Sequence, residues 1–407
     1  MKYDDKPDND TNGDSPGDDN QYHNDDDEVI ELASDDEIMQ MEEGDEIDMD
    51  GEGDGEPLDE AEHIDDSIFT FEAHKEPVFC IKLHPVNHSL VATGHKDSVT
   101  QVSFSADGTY LATGDMSGLI QVWNIATKET VWSFEVADLE WMQWHRGGSL
   151  LLASDADGIV WMWKIPSGSC STFDFSGVAA TICHFLPLNT MLAAGYGNGV
   201  VKIWNLTSPS QQMPTFSGNN GHQGSITCLD SYSSNPSDNN ATLISGSTDG
   251  MMNVYNLEKG KLVKSFDCHG SGEEGANSSV ESVAHCSNRV IAAAATTSGD
   301  LFIFNLTAMT CALKLNTNQM PITKVIWHQK SPMLYASDTD GVITLWNGLT
   351  GENIAKFYGH SAEIHDLSVT EQGVVFATAS EDGTAKLYEV TENSLPKTFD
   401  ISELLNK

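Results

Sequence analysis

Arginine is almost absent from this 407-residue chain, which holds only Arg146 and Arg289. Lys and Arg together number 20 against 62 Asp and Glu, which gives a formal net charge of −42. Binding to DNA or RNA depends on neutralising phosphates with basic side chains, so this composition argues against a direct nucleic-acid partner. It disfavours an anionic membrane surface for the same reason. A basic protein is the partner that such a chain favours.

Signals for catalysis and for membrane insertion are missing as well. The sequence contains no G-x-S-x-G, P-loop or H-E-x-x-H motif, and no Cys/His cluster with zinc spacing. Its N-terminus lacks the apolar stretch of a signal peptide, and nowhere do 18 apolar residues follow one another. We therefore predict a protein that is not an enzyme, takes no cofactor or metal and does not span a membrane.

Paired cysteines are also lacking, because the seven cysteines are scattered and none belongs to a C-x-x-C motif. An odd, dispersed set in a large domain indicates buried thiols in a reducing compartment and not a disulfide framework. We expect a cytoplasmic protein, with access to the nucleus left open, and we expect a monomer.

The acidic residues are concentrated at the N-terminus. Residues 1–66 contain 29 Asp or Glu against Lys2 and Lys6, a net charge of −27. Such a segment cannot bury enough apolar surface to offset the entropy of ordering, so we predict that it is disordered. Ser34 lies in S-D-D-E, a sequence that suits an acidophilic kinase. The predicted domains are an acidic tail at 1–66, a folded domain at 67–401 and a C-terminal tail at 402–407.

An internal repeat runs through the rest of the chain. Short apolar runs end in an aromatic residue seven times, at spacings of 40, 41, 51, 49, 42 and 42 residues: Trp123, Trp163, Trp204, Tyr255, Phe304, Trp346 and Tyr388. A period of roughly 40–45 residues is typical of WD repeats, each of which forms one four-stranded blade of a β-propeller. Gly-His pairs before a strand and Asp-Gly turns after the next strand recur in phase with the aromatics. The sequence therefore predicts an all-β WD-repeat propeller.

Several runs resemble one family more closely than WD repeats in general. GHKDSV (94–99), ATGDMSGL (112–119), VWSFE (131–135), DLEWMQWH (138–145) and GHSAEIHD (359–366) are similar to the angio-associated migratory cell protein family. The resemblance covers roughly Phe69 to Tyr388 and includes the acidic tail. It implies eight blades, and it implies relatives in fungi that are chaperones of a ribosomal protein of the large subunit.

The first repeat is shorter than this resemblance implies. The hairpin at Val78–Gly94 runs directly into the next repeat, so seven complete repeats follow a two-stranded remnant. Seven blades could close with the hairpin as an appendage, or the hairpin could form an incomplete eighth blade within the ring. The third interpretation, which the clean cut between two strands favours, is that the sequence lacks a coding segment.

The obvious polar residues resemble the hydrogen-bond network of WD repeats. In that network a His links through Ser or Thr to the Asp of the turn and to the Trp, and buried polar groups need such partners. Because the pattern repeats from blade to blade, it does not indicate a catalytic triad. The resemblance implies this structural role for His95, Asp157, His222, Asp249, Asp340, His360 and Asp382.

Acidic residues on one face are the candidate binding residues. In the WD pattern, the residue two before the turn Asp points to the face on which the second strand turns into the third. The approaches to the innermost strands reach the same face. Acids that converge there would attract a cationic partner. The candidates are Asp97, Asp115, Asp138, Glu140, Asp155, Glu281, Asp338 and Glu363.

The sequence leaves two functions open. In the first, the propeller is a chaperone that shields a basic ribosomal protein during large-subunit assembly, which the charge and the resemblance both favour. In the second, it is a signalling scaffold linked to cell migration and angiogenesis, as the resemblance to animal members implies. Trp141 and Trp144 fit either an interface or packing between blades.

Overall fold

The structure, a computed structural model, describes residues 64–395 except 73, 75, 88–89, 95–98, 174–175, 188, 209–210, 212, 234–240, 270–277, 318–319 and 392–394. The described residues form antiparallel β-strands and turns, with one 3₁₀ turn at Gly218–Asn220 and no α-helix. The predicted tails and Ser34 lie outside the described residues, apart from the last three residues of the acidic tail.

The strands form eight sheets arranged as a closed ring, which we number as blades 1 to 8. Blade 1 has two strands, and the other seven have four each. The predicted WD-repeat propeller, with seven complete repeats and a short first one, is confirmed. Within each blade the strands lie side by side, and the first one lines the central channel.

Blades 1 to 4 contain the strands β2 Cys80–Leu83 and β3 Val91–Gly94; β4 Val99–Phe104, β5 Tyr110–Asp115, β6 Leu119–Asn124 and β7 Glu129–Glu135; β8 Leu139–Trp144, β9 Leu150–Asp155, β10 Val160–Lys164 and β11 Ser169–Phe173; β12 Ile182–Phe185, β13 Met191–Gly195, β14 Val201–Asn205 and β15 Thr215–Phe216.

Blades 5 to 8 contain the strands β16 Ile226–Tyr232, β17 Thr242–Ser247, β18 Met251–Asn256 and β19 Lys261–Asp267; β20 Val280–His285, β21 Ile291–Thr296, β22 Asp300–Asn305 and β23 Thr310–Asn316; β24 Ile322–Trp327, β25 Met333–Asp338, β26 Ile343–Asn347 and β27 Asn353–Phe357; β28 Ile364–Val369, β29 Val375–Ser380, β30 Ala385–Glu389 and β1 Phe69–Phe71.

The short blade 1 occupies a position of its own in the ring of blades. Its first strand, β2, packs between β28 of blade 8 and β4 of blade 2. Ile81 N donates a hydrogen bond to Asp366 Oδ2 at 3.0 Å, and Leu83 N donates one to Ser368 Oγ at 3.2 Å. Of the interpretations open from the sequence, the incomplete eighth blade describes this arrangement and the appendage does not. That a coding segment is missing stays a prediction.

Side chains join neighbouring blades along the channel. The innermost strands of adjacent blades belong to separate sheets, so their facing N–H groups need other acceptors. Ser103 Oγ accepts from Trp144 N at 3.4 Å, and Ser282 Oγ accepts from Val325 N at 3.1 Å. Each acceptor stands one blade before its donor, so these bonds fix the spacing between blades.

The N-terminal strand closes the ring. β1 is the outermost strand of blade 8 and pairs with β30, with Phe69 opposite Leu387 and Phe71 opposite Ala385. Lys386 Nζ donates to Asp65 Oδ2 at 2.5 Å and to Thr70 Oγ1 at 2.9 Å. Contacts with blade 8 are thus described from Asp65 onwards, slightly before the predicted domain boundary at residue 67.

Aromatic residues of the third strands fill the space between blades. Trp163, Tyr255, Phe304 and Tyr388 are each at most 1% exposed. Tyr255 of blade 5 packs on Phe216 of blade 4 with ring centroids 4.4 Å apart, so the packing crosses from blade to blade. The repeating aromatic therefore joins each sheet to the one before it.

All seven cysteines are free. Five are buried, whereas Cys170 and Cys311 are exposed on outer strands, so the expectation of buried thiols fails for these two.

Replacing Trp163 by Ala should lower the free energy of unfolding by about 3–5 kcal/mol, because the side chain is fully buried between blades 2 and 3. Urea unfolding followed by circular dichroism measures the change. Val131→Ala, at an exposed position of β7, is the control and should change the free energy of unfolding by less than about 0.5 kcal/mol. Equal losses in the two variants would contradict the packing role.

Candidate partner-binding face

One end of the channel, which we call the mouth face, is formed by the starts of the innermost strands and the turns between second and third strands. Six innermost strands begin with a β-bulge, a register shift that leaves one residue unpaired. Bulges redirect a side chain away from the regular alternation. All six bulge residues are polar and half-buried: Thr100, Glu140, Thr227, Glu281, Thr323 and His365.

Charge is distributed unequally between the two faces. Lys75 and Lys96 of the mouth-face loops lie outside the described residues. The described residues of these loops include no lysine or arginine, but they carry Glu76, Asp115, Asp138, Asp155, Asp157, Asp249, Asp338, Asp340, Glu363, Glu381 and Asp382. The loops of the opposite face contain both arginines and several lysines: Lys128, Arg146, Lys164, Lys259, Arg289 and Lys330. The opposite face also carries acids such as Glu258 and Glu371, so a cationic partner is attracted to the mouth more strongly than to the other face.

Three of the predicted acids come together on blade 3. Asp138 is exposed, and Glu140 is half-buried at the bulge of β8. Burial raises the pKa of Glu140, and the negative charges of Asp138 and Asp155 raise it further. The carboxylates are close enough to repel one another, and a bound cation would relieve that repulsion.

The other predicted acids are spread around the ring. Glu281 of blade 6 and Glu363 of blade 8 are half-buried on the mouth face, on blades that do not adjoin blade 3. Asp97, together with His95, lies outside the described residues.

Asp155 and Asp338 are not available to a partner, and this part of the prediction is corrected. Asp155 is 1% exposed, accepts from Ile159 N at 2.9 Å and accepts from Trp161 Nε1 at 2.7 Å. Asp338 is 8% exposed and accepts from Val342 N at 2.9 Å. Both carboxylates stabilise the turn that follows their strand.

Asp115 has the same turn-stabilising role on blade 2, although it is only half-buried. It accepts hydrogen bonds from Leu119 N at 2.9 Å and from Ser117 Oγ at 2.7 Å.

The prediction for Asp157 and Asp340 is also corrected, because these two acids are exposed instead of bound. Both were expected in the structural network, yet both are exposed on the mouth face. The loops that lead into blades 3 and 7 contain no histidine in the described residues, so neither turn Asp meets a His partner. The acid two residues earlier stabilises the turn instead, which leaves Asp157 and Asp340 facing solvent.

The His–Asp network is present on blades 5 and 8. His222 Nδ1 lies 3.0 Å from both carboxylate oxygens of Asp249, and its Nε2 lies 2.7 Å from Ser245 Oγ. His360 Nδ1 lies 2.9 Å from Asp382 Oδ2, and its Nε2 lies 2.7 Å from Thr378 Oγ1. Each His is buried and fully hydrogen-bonded, so these residues hold loops in place.

A cavity of about 540 Å³ lies along the channel and is lined by innermost strands that include β2 of blade 1. Asp366 on β28 is buried in its wall and binds two ammonium groups. Lys82 Nζ lies 2.6 Å from Asp366 Oδ2, and Lys324 Nζ contacts Asp366 Oδ1. Burial would raise the pKa of Asp366, but the two lysines outweigh it and hold the pKa well below its usual range.

Sequence reasoning missed the bulge residues other than Glu140 and Glu281. His365 lines the cavity, where its Nε2 lies 2.7 Å from Glu381 Oε2 and its ring faces Phe79 with centroids 5.3 Å apart. A polar residue one position after the first apolar residue of each innermost strand was the available signal. The sequence alone does not show the register shift at this position, so it does not reveal that the polar side chain is directed to the mouth.

The tryptophans that fitted two interpretations pack between blades. Trp144 is 3% exposed, and its Nε1 donates to Ser103 O on blade 2 at 2.9 Å. Trp141 is 7% exposed and faces Phe185 of blade 4 with ring centroids 6.1 Å apart.

Within the described part of the chain, no three His, Cys, Asp or Glu side chains converge as metal ligands. The same residues contain no helix long and apolar enough to cross a bilayer.

Comparison with known proteins gives the family. The chain is 36% identical over 354 residues to the angio-associated migratory cell proteins of Homo sapiens and Canis lupus familiaris, a match that covers 80% of this chain and 80% of each relative. This chain belongs to the angio-associated migratory cell protein family. Family models for the WD domain, G-beta repeat and for the N-terminal domain of nucleolar protein 10-like proteins match residues 88–124 and 220–392.

Solved structures share the fold at lower identity. Sqt1 of Saccharomyces cerevisiae is 20% identical with a TM-score of 0.70, and the match covers 81% of this chain and all of that one. Sqt1 of Chaetomium thermophilum, solved bound to the N-terminus of the ribosomal protein L10, is 18% identical with a TM-score of 0.71 over 80% of this chain and all of that one. These likenesses extend the fold of the family to a second group of propellers.

The His–Asp network predicts how stability depends on pH. Burial would raise the pKa of Asp249, but hydrogen bonds from His222 and from the backbone outweigh it and lower the pKa to about 2. A carboxylate with a lowered folded-state pKa contributes stability that is complete above about pH 4 and is lost as the pH falls towards 2. Asp249→Asn should therefore unfold more easily at neutral pH and show a shallower loss of stability between pH 4 and 2.

Urea unfolding at a series of pH values tests this expectation. Asp157→Asn is the matched control, because it changes an exposed Asp at the corresponding turn of blade 3. The control should follow the unmodified chain throughout. The network would have no such role if Asp249→Asn ran parallel to the control.

Proposed function

We propose that this chain is a non-enzymatic chaperone that captures a basic segment of a ribosomal protein on the mouth face of its propeller. The observation that carries the proposal is the charge of that face, whose described loops bear many acids and no lysine or arginine. Six basic residues are instead placed on the loops of the opposite face, and Lys82 and Lys324 in the channel are already paired with Asp366. A basic segment free in solution would therefore be drawn to one end of the channel.

The state of the mouth acids supports the same proposal. Asp138, Asp157 and Asp340 are exposed, and the structure gives none of them an ion pair within the described residues. A cation that binds there does not have to displace an internal partner. Glu140 gains most, because burial and neighbouring charges already disfavour its ionised form.

The comparisons support a ribosomal protein as the class of partner. The Chaetomium thermophilum propeller of similar fold was solved with the N-terminus of a ribosomal protein. Ribosomal proteins need many lysines and arginines to neutralise RNA phosphates, so they are exposed to premature binding before assembly. An acidic propeller that covers such a segment would compete with RNA for the same basic side chains.

Binding of a fluorescent peptide from the N-terminus of ribosomal protein L10 to the full chain tests the proposal. We expect tight binding at low salt that weakens at least about tenfold as the salt rises towards 0.5 M, since exposed charges are screened. Asp138→Lys should weaken binding strongly. Glu371→Lys is the matched control on the opposite face, with the same change of net charge, and should have little effect.

Two results would overturn the chaperone proposal. One is binding that does not respond to salt. The other is an equal loss of affinity in Asp138→Lys and Glu371→Lys, because binding would then depend on the net charge of the chain and not on the mouth face. If the full chain instead retained receptors or signalling adaptors through salt-insensitive contacts, the scaffold function would take its place.

A further inference from the structure

The cavity lies along the channel and is lined by six consecutive innermost strands, from β24 of blade 7 through β28, β2, β4 and β8 to β12 of blade 4. Its volume of about 540 Å³ falls within the range of about 300–1,000 Å³ that is usual for ligand pockets. It is large enough to hold a whole side chain of a bound segment, and Glu140 lines it at the mouth end.

Charges in the cavity are separated by strand. Lys82, Lys324 and Asp366 occupy the three strands at one end, and the two ammonium groups are bound to the buried carboxylate. Glu140 stands towards the other end, on β8, and has no hydrogen bond or ion pair in the described structure. The cavity therefore offers one carboxylate that has no partner.

One uncharged group of the cavity lining also lacks a partner. Thr100 Oγ1, at the bulge of β4, is buried without a hydrogen-bond partner in the described part of the chain. Gln101 and Gln143 line the same cavity. Buried polar atoms are nearly always hydrogen-bonded in folded proteins, so this hydroxyl is an acceptor that a group entering the cavity could use.

We propose that this cavity binds a single arginine side chain of the client segment, with Glu140 as its carboxylate partner. This inference rests on the proposed function and names the residue of the client that is recognised. A guanidinium group presents several N–H donors in one plane, which suits a carboxylate together with the hydroxyl and amide oxygens beside it.

Arginine fits this chemistry better than lysine. An ammonium group is a compact, strongly hydrated charge with three donors, and it cannot bind a carboxylate in the two-pronged manner of arginine. Lys82 and Lys324 would repel a second cation at the far end of the cavity. The site therefore accepts one positive side chain, near β8.

The test pairs Glu140→Gln with Glu281→Gln. Both residues are half-buried glutamates at the same bulge position of an innermost strand, but only Glu140 lines the cavity. The probes are L10 N-terminal peptides in which each arginine is replaced in turn by lysine or by the uncharged analogue citrulline. Affinities are measured by fluorescence anisotropy with the full chain.

We expect that replacing one particular arginine of the peptide weakens its binding to the unmodified propeller about tenfold, which is equivalent to about 1.4 kcal/mol. Glu140→Gln should remove that discrimination and weaken the unmodified peptide by a similar factor. Glu281→Gln should keep the discrimination and lose only the general electrostatic attraction. An unchanged urea midpoint in Glu140→Gln would show that the variant is folded.

The outcomes separate the two proposals. Equal behaviour of Glu140→Gln and Glu281→Gln, with salt-dependent binding retained, would overturn the arginine site and leave the chaperone function in place. The arginine site would also be overturned if the unmodified propeller bound all the substituted peptides with similar affinity. A complete absence of peptide binding would overturn the proposed function and the arginine site together.

Discussion

Neighbouring blades share no backbone ladder, so the ring depends on side-chain packing and on single hydrogen bonds between separate sheets. Buried aromatics such as Trp163 and Tyr255 supply the apolar part of this contact. Along the channel, Ser103 and Ser282 accept the N–H groups that an ordinary sheet would satisfy with another strand. A propeller must meet this requirement at every boundary, because one open sheet edge would leave backbone groups unpaired. The two-stranded blade 1 meets it as the complete blades do, which explains how a hairpin fills a position in the ring.

The same requirement creates the mouth. An innermost strand has to turn inward from the outer strand of the preceding blade, and in six of the eight blades a bulge bends the start of that strand. Because the bulge leaves one residue without a ladder partner, its side chain is directed to the rim and not into the packing between blades. Glu140, Glu281 and His365 are therefore half-exposed although they belong to strands whose next residues are buried. The geometry that closes the ring also supplies the polar rim of the channel.

Much of this could be predicted from the sequence, since the repeating aromatics at intervals near 40 residues can be satisfied by few folds. The charged face could be predicted in sign but not residue by residue. Asp155 and Asp157 are both acids of one turn, and the sequence does not say which one stabilises it. The structure shows that a histidine in the preceding loop decides this: where His222 is present, Asp249 is bound, and where no histidine is described, Asp155 takes over and Asp157 is exposed. The residues around the cavity could not be found either, because Lys82, Lys324 and Asp366 meet only when the ring closes.

An acidic protein needs some of its carboxylates for its own stability, and this need determines which of them remain free. Asp155, Asp249, Asp366 and Asp382 are held by hydrogen bonds or ion pairs, so a cationic client would have to break internal interactions to reach them. Exposed acids such as Asp138 and Asp157, together with Glu140, have no side-chain hydrogen bond or ion pair in the described residues. In the proposed function, a basic segment bound there would lower the self-repulsion of the mouth without loosening the ring. Stability and recognition would then use different carboxylates of the same face, which would let the mouth bind and release a client while the propeller stays folded.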